Sequence, residues 1–313
     1  DALRLITQDH VVALIGAYAS SLTLTSSAVA ERYGIPYVNG TSTAANLTER
    51  GYKWFFRTTP IDFSPVYFKF LADVAKRGLP TSKVAVVNEN TDYGSSLADT
   101  LAKTWKKHGG KLALRIAYNA NSTDVSSQVL RLKSTKPDVV IFISYTSDAI
   151  LYMETFHTLG YRPPIVISDD AGFSDPSFIK NAGPIAQGVL NRSVFVPGKP
   201  GSLTYKVNAL FKQKTGRVFD DNAARHMQAF LVLCDAINRA GSTKPAAIRK
   251  ALAETDTPAS ELMVDYKGVK FDSMGENALG SALLVQLEGS GYVPVWPANV
   301  ATAKLQLPFK GWT

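Results

Sequence analysis

Five short polar segments carry most of the chemistry that this sequence offers. They are Gly16-Ala-Tyr-Ala-Ser-Ser21, Asn39-Gly-Thr-Ser-Thr43, Glu89-Asn-Thr-Asp-Tyr-Gly94, Ser144-Tyr-Thr-Ser147 and Ser168-Asp-Asp-Ala-Gly172. Between them they gather small hydroxyls, tyrosines and carboxylates. Hydroxyls hydrogen-bond a polar guest, tyrosine faces hold an apolar body, and an aspartate neutralises an ammonium. The same residue types are favoured helix N-caps, so each segment also reads as a cap. The tyrosines are the part that capping does not require. Asp169 and Asp170 are adjacent, and adjacent side chains diverge in an extended chain. One ligand contact plus one cap is therefore expected of them, rather than an acid/base dyad.

Signs of catalysis are few. The sequence holds no Gly-x-Gly-x-x-Gly, no phosphate-loop lysine motif and no Gly-x-Ser-x-Gly elbow. His10, His108, His157 and His226 are scattered without metal-ligand spacing. His108 and His157 are expected at helix ends, against terminal carbonyls. Cys234 is expected in a core stripe with Ala223, Met227, Phe230, Leu231 and Ile237, as a buried structural thiol. Neither an enzyme nor a cofactor or metal protein is implied.

The five segments follow a repeating pattern of elements. Short β-branched runs predict strands over 11–15, 36–38, 83–88, 111–117, 138–143, 164–167 and 187–195. Helical periodicity predicts helices over 21–33, 62–77, 93–108, 125–133 and 146–159, with 1–9 as the end of another. In 62–77 the apolar positions Phe63, Val66, Tyr67, Phe70, Leu71 and Val74 form one stripe. Such alternation implies an α/β fold of parallel sheets with helices on both faces. In open sheets of this kind ligands bind beyond the carboxyl ends of the strands, which is where the polar segments fall. After 197–201 three helices are expected over 202–215, 220–241 and 244–254. Paired strands joined at Gly289-Ser-Gly291 end the pattern.

The 313 residues suit two domains, and 45% hydrophobic with 19% charged residues suits an ordinary globular chain. A net charge of +8 comes from dispersed lysines and arginines, without the aromatic interleaving of a nucleic-acid surface. No apolar run approaches the roughly 20 residues of a membrane span. One cysteine permits no intrachain disulfide. Breaks at 57–62 and 195–198 divide the chain into one lobe of 1–60 with 197–272 and another of 61–196 with 273–313.

Further motifs add a family likeness. They are Leu14-Ile-Gly-Ala-Tyr-Ala-Ser-Ser21, Gly34-Ile-Pro-Tyr37, Asn46-Leu-Thr-Glu-Arg-Gly51, Phe56-Arg-Thr58, Asp92-Tyr-Gly94, Lys136-Pro-Asp-Val-Val140, Phe173-Ser-Asp-Pro176 and Ala186-Gln-Gly-Val189. In this order and spacing the chain resembles the type I periplasmic solute-binding proteins of the leucine/isoleucine/valine-binding family, which feed ATP-driven importers. The resemblance implies two Rossmann-like lobes, hinged by three crossover segments, that close on a small ligand. It places Ser20 on the ligand carboxylate, with Tyr18, Ala19 and Ser21 beside it and Ser42 and Thr43 on the next loop. Tyr93 and Tyr145 come from the other lobe, and Asp169 or Asp170 takes the ammonium. The implied partners are an amino acid or an aromatic or aliphatic carboxylate and a membrane permease, without nucleic acid. The implied form is a monomer in the periplasm, or an extracytoplasmic lipoprotein.

Two departures stand out. The family's opening strand–helix–strand unit has no counterpart here, so those residues are expected elsewhere in the molecule, or another element covers the gap. Aspartate replaces the glutamate of the branched-chain binders, which opens the ligand class to other amino acids, aromatic acids and amides. A nutrient- or amide-sensing regulator on the same scaffold is the alternative reading.

Overall fold

The structure, a computed structural model, describes residues 1–60, 62–198 and 200–312. Ile61 in the first expected break and Lys199 in the Pro/Gly-rich stretch lie outside the described residues. The chain divides into two compact units, 1–61 with 194–281 and 62–193 with 282–313. No helix among the described residues is long and apolar enough to cross a membrane.

The first unit opens with α1 (Ala2–Thr7), β1 (Leu14–Ile15), α2 (Ser20–Tyr33), β2 (Tyr37–Asn39), α3 (Asn46–Glu49) and β3 (Phe55–Arg57). The three strands pair in parallel in the order β1-β2-β3. Ile6, Leu14, Ala30, Tyr37, Leu47 and Phe55 pack into one core cluster. Helix α2 stops at Gly34, whose φ of 66° supplies the left-handed residue that ends a helix cheaply.

The second unit follows with α4 (Ser64–Ala75), β4 (Val84–Glu89), α5 (Asp92–Lys107), β5 (Leu114–Tyr118), α6 (Ser126–Thr135), β6 (Val139–Ile143), α7 (Thr146–Thr158), β7 (Ile165–Ser168), α8 (Pro176–Ala182) and β8 (Leu190–Ser193). The chain returns to the first unit for α9 (Leu203–Thr215), α10 (Asp221–Ala240), α11 (Pro245–Ala253) and the antiparallel pair β9 (Asp256–Pro258) and β10 (Gly268–Lys270). It ends in the second unit with β11 (Leu283–Glu288) and β12 (Gly291–Trp296).

The second unit's sheet has seven strands, ordered β12-β11-β8-β7-β6-β4-β5. Strands β5, β4, β6, β7 and β8 run parallel, and β11 and β12 add antiparallel at one edge. Central strands β4, β6 and β7 are buried along their whole length, so their unbroken apolar runs serve both faces. Ala85, Val87, Val140, Phe142 and Val166 meet α6, α7 and α8 on one face. Ile141 and Ile143 point the other way, beside Tyr67 of α4 and Leu97 and Leu101 of α5. Each such buried side chain contributes about 1.5–3 kcal/mol.

The expected elements are present, with ends displaced by one to three residues. Two strands shrink more: 11–15 keeps only β1, and 187–195 keeps only β8. Elements α3, β3, α8, β9 and β10 were not anticipated, being three to seven residues long and, in the strands, partly polar. The crossings at 193/194 and 281/282 differ from the expected 196/197 and 272/273, because residues 275–277 bond to β3 in the first unit: the Arg57 N–H donates to Gly275 O at 2.7 Å and Asn277 N–H to Arg57 O at 3.0 Å.

Helix α10 corrects a specific expectation. Its buried side is Ala224, Arg225, Gln228, Ala229, Val232, Leu233 and Ala236, while Cys234 is exposed and Phe230 is 48% exposed. The inward face is set by polar partners: Arg225 reaches the Thr41 carbonyl, and Gln228 Oε1 accepts the Met263 N–H at 2.7 Å. The two histidines expected on terminal carbonyls pack on rings instead, His108 against Phe68 at 4.5 Å and His157 against Trp312 at 4.9 Å.

Candidate functional site

In the first unit the loops after β1 and β2 are stitched together by one asparagine. Asn39 ends β2 fully buried, and its Nδ2 donates to the carbonyls of Gly16 (2.8 Å) and Ala17 (3.0 Å). Its Oδ1 accepts the N–H groups of Thr41 and Ser42. This amide supplies what neither loop's backbone finds in a sheet. Ser42 Oγ lies 2.8 Å from Thr23 Oγ1 and donates at 3.0 Å toward the Ala17 and Tyr18 carbonyls. Ser20, the first residue of α2, accepts the Ala44 N–H at 3.3 Å. Thr43 Oγ1 is buried and meets no protein partner. Tyr18 and Ser21 are exposed and Ala19 is half-buried.

Two buried arginines hold this loop. Arg57 donates Nη1 to the carbonyls of Ser42 (3.1 Å) and Ala44 (2.8 Å), and its Nε pairs with Glu276. Arg225 donates to the Thr41 carbonyl and pairs with Asp221 at 2.8 Å. At Gly40 a Cβ would stand 2.6 Å from the Arg225 carbonyl oxygen, so α10 presses directly on the loop. The outcome is a fixed arc of hydroxyls and backbone beside the start of α2, where unpaired N–H groups favour an anion.

In the second unit the Asp-Tyr-Gly motif opens α5. Glu89, fully buried at the end of β4, accepts the N–H groups of Thr91 and Gly94 and the Thr91 hydroxyl. A Cβ on Gly94 would fall 2.5 Å from the Glu89 carboxylate, which is why the motif ends in glycine. Tyr93 is thereby fixed with its hydroxyl donating to the Asp169 carbonyl at 2.7 Å. Tyr145, half-buried at the start of α7, sets its ring 5.4 Å from that of Tyr93. Burial and the charge of Glu89 push the Tyr145 phenol up to about 12, so it stays a neutral donor.

Asp169 and Asp170 are both buried and share Arg192, whose Nε lies 3.1 Å from Asp169 and Nη2 3.3 Å from Asp170. Tyr67 also donates to Asp169, and Ser174 donates to Asp170. The Asp170 side chain does not cap the short helical turn Ala171–Ser174. Arg192 lies 3.9 Å over the Phe63 ring. Asp170 sits at φ 58° and ψ −123°, a conformation that L residues rarely adopt, and Ala171 follows at φ 41°. Gly172 locks this strained turn to the next loop. Its N–H donates to the Ser144 carbonyl at 3.0 Å, and a Cβ there would stand 2.2 Å from the Tyr145 carbonyl carbon.

Within the first unit the structure thus gathers Ser20, Ser42 and Thr43, and within the second Tyr93, Tyr145, Asp169 and Asp170. Arg57, Arg225, Arg192 and Asn39 were missed by sequence reasoning. For Asn39 and Arg57 the signal was a polar residue ending an otherwise apolar strand; Arg225 lies on the inward side of a helix, and Arg192, in a mostly polar strand, gave none.

The chain matches the family described as periplasmic binding protein over residues 1–288. A Leu/Ile/Val-binding protein homolog 7 of Brucella abortus is 29% identical over 325 residues, covering 98% of this chain and 80% of the relative. Homolog 8 of the same organism is 28% identical over 319 residues, covering 98% and 78%. Among solved structures, a leucine binding protein from Thermotoga maritima superposes with TM-score 0.80 at 24% identity, over 94% of this chain and 81% of that one. A branched-chain amino acid transporter substrate binding protein from Streptococcus pneumoniae, in complex with isoleucine, gives 0.77 at 20% identity over 94% and 82%. By the match over residues 1–288, this chain belongs to the periplasmic binding protein family, whose fold binds solutes without chemistry.

Proposed function

We propose that this chain is the extracytoplasmic receptor of an ATP-driven importer and captures an amino acid or related small carboxylate for a membrane permease. The observation that supports the reading is the clamped loop 40–44, where the Thr41 and Ser42 hydroxyls donate to the Ala17 carbonyl and the buried Thr43 Oγ1 meets no protein partner. Ser20, Thr43 and the N–H groups opening α2 receive the ligand carboxylate, with Tyr18, Ala19, Ser21 and Ser42 around them. Tyr93 and Tyr145 offer ring faces to an apolar side chain. The adjacent carboxylates Asp169 and Asp170, held by Arg192, receive the ammonium. Ligand binding selects the conformation that the permease recognises. The relatives' names point to leucine, isoleucine and valine as first candidates. Micromolar affinity needs about −8 kcal/mol, within reach of two charged ends and one aliphatic chain.

Calorimetric titration tests this with leucine, isoleucine and valine beside 4-methylpentanoate, which lacks the ammonium. The amino acids bind, the acid binds far more weakly, and Asp170→Asn removes most of the difference. Failure of every amino acid and small carboxylate to bind overturns the reading. Equal binding of leucine and its deaminated acid shows that no ammonium is received.

A further inference from the structure

The five parallel strands of the second unit's sheet start at one edge, and a basic residue stands at each start. In spatial order these are Lys111 before β5, Lys83 before β4, Lys136 before β6, Arg162 before β7, and Lys310 beside the approach to β8. Lys310 joins the row from beyond β12. The Phe309 N–H donates to the Pro164 carbonyl at 2.7 Å, and a Cβ on Gly188, two residues ahead of β8, would meet the Lys310 backbone nitrogen at 3.1 Å. With strands about 4.8 Å apart, the row is roughly 19 Å long.

Helices α4, α5 and α6 end at the same edge, because each precedes a strand of this parallel sheet. They bring Lys76 and Arg77, Lys106 and Lys107, and Lys133. Two cross-links gather these parts: Lys83 Nζ donates to the Thr135 carbonyl, and Lys133 Nζ to that of Leu159 at 2.9 Å. All ten basic side chains are exposed. Four acids share the edge among the described residues, Asp73, Asp138, Glu154 and Glu288. Two of them are already engaged, Asp73 by Lys76 and the Trp296 indole, and Asp138 by the Lys83 N–H. Lysines in a last helical turn complement the helix dipole, which accounts for Lys106, Lys107 and Lys133. Lys83, Lys111, Arg162 and Lys310 lie outside the helices and answer to no dipole.

We propose that this basic edge docks the protein on an anionic phospholipid bilayer. A bilayer surface demands no groove, only several lysines and arginines within a Debye length of its headgroup charges. Nucleic acid fits less well, since single-strand sites add free aromatic faces on which bases stack. Trp312, beside the row, has Arg162 over its ring at 4.1 Å and the His157 ring edge to face at 4.9 Å, so its faces are taken. Held by this edge, the second unit keeps the loops 89–94, 144–147 and 168–172, at the other end of the same strands, turned from the lipid. The contact concentrates the protein at the membrane and leaves those loops open, whichever solute it carries.

Sedimentation of the full chain with vesicles tests the surface. Vesicles of phosphatidylcholine and phosphatidylglycerol in equal parts pull the protein down, phosphatidylcholine alone does not, and added salt releases it. Each lysine or arginine near such a surface strengthens binding about fivefold, so the combined variant Lys106→Gln, Lys107→Gln, Lys111→Gln and Lys136→Gln binds at least roughly a hundredfold more weakly. The control variant Lys206→Gln, Lys212→Gln, Lys214→Gln and Lys244→Gln removes the same charge from exposed sites of the first unit and binds as the parent does. Both variants melt with the parent, which separates lost binding from lost folding. Equal sedimentation with the two kinds of vesicle, equal losses in the two variants, or tighter binding to a short DNA duplex than to the anionic vesicles overturns the proposal.

Discussion

The two units bury charge in opposite ways. In the first, Arg57 and Arg225 each have one acid, Glu276 and Asp221, so the buried set is neutral. In the second, Arg192 is the one buried arginine among the described residues, beside four buried acids, Glu89, Asp148, Asp169 and Asp170. Surplus guanidinium donors in the first unit hold backbone carbonyls and shape a loop of hydroxyls. Surplus carboxylates in the second hold helix starts and keep the region negative. The difference teaches that the first unit's arginines shape a loop, while the second unit's acids anchor helix starts and a strand end.

Arginine removal is the harshest way to break that contrast. Arg57→Met strands Glu276 and frees two loop carbonyls, Ser42 and Ala44, at a cost of about 3–5 kcal/mol. Arg192→Met strands two adjacent acids, so it costs more at pH 7, and part of its loss returns on acidification as one of the pair protonates. Urea unfolding at pH 7 and pH 5 checks both, and equal pH sensitivity would erase the distinction. Gly172→Ala comes next. The added methyl forces the Tyr145 peptide aside, costing about 1–3 kcal/mol, and it weakens solute binding without touching a charge. Titration calorimetry beside a thermal melt separates the two effects.

The mildest test concerns pH. Burial raises the folded pKa values of Glu89 and Asp148 above their unfolded ones. The native state therefore holds protons that the unfolded chain releases. Their contribution is fully present below the unfolded values and is lost as pH rises through the folded ones. Asp148→Asn should flatten the fall in melting temperature between pH 4 and 7 relative to the parent; an unchanged slope would show that burial of Asp148 does not drive it.

Much of this arrangement was legible in the sequence, and the limits have physical causes. Strands β4 and β6 announce themselves because both faces are covered, with β6 apolar throughout and β4 apolar over its first four positions. Strand β3 was missed because a three-residue strand ending in arginine carries no period. Helix α10 was rotated in expectation because Arg225 and Gln228 read as solvent-facing until their carbonyl and N–H partners, far away in sequence, are known. Asp169 and Asp170 follow β7 directly, as the sequence predicts. Their shared Arg192 was invisible, since its strand Leu190-Asn-Arg-Ser193 alternates no more polar than many edges. Glycines 94 and 172 look like turn residues, and only coordinates reveal the carboxylate and the peptide that a methyl would strike.

Arg57 and Glu276 meet across 219 positions of chain. A ribosome must therefore make most of the protein before the arginine's counter-charge exists. Until then the nascent first unit carries an unmatched guanidinium in its centre and has reason to stay open. Chimeras that exchange 1–61 without 194–281 inherit the same fault permanently, so any grafting of solute preference between relatives has to move both stretches together.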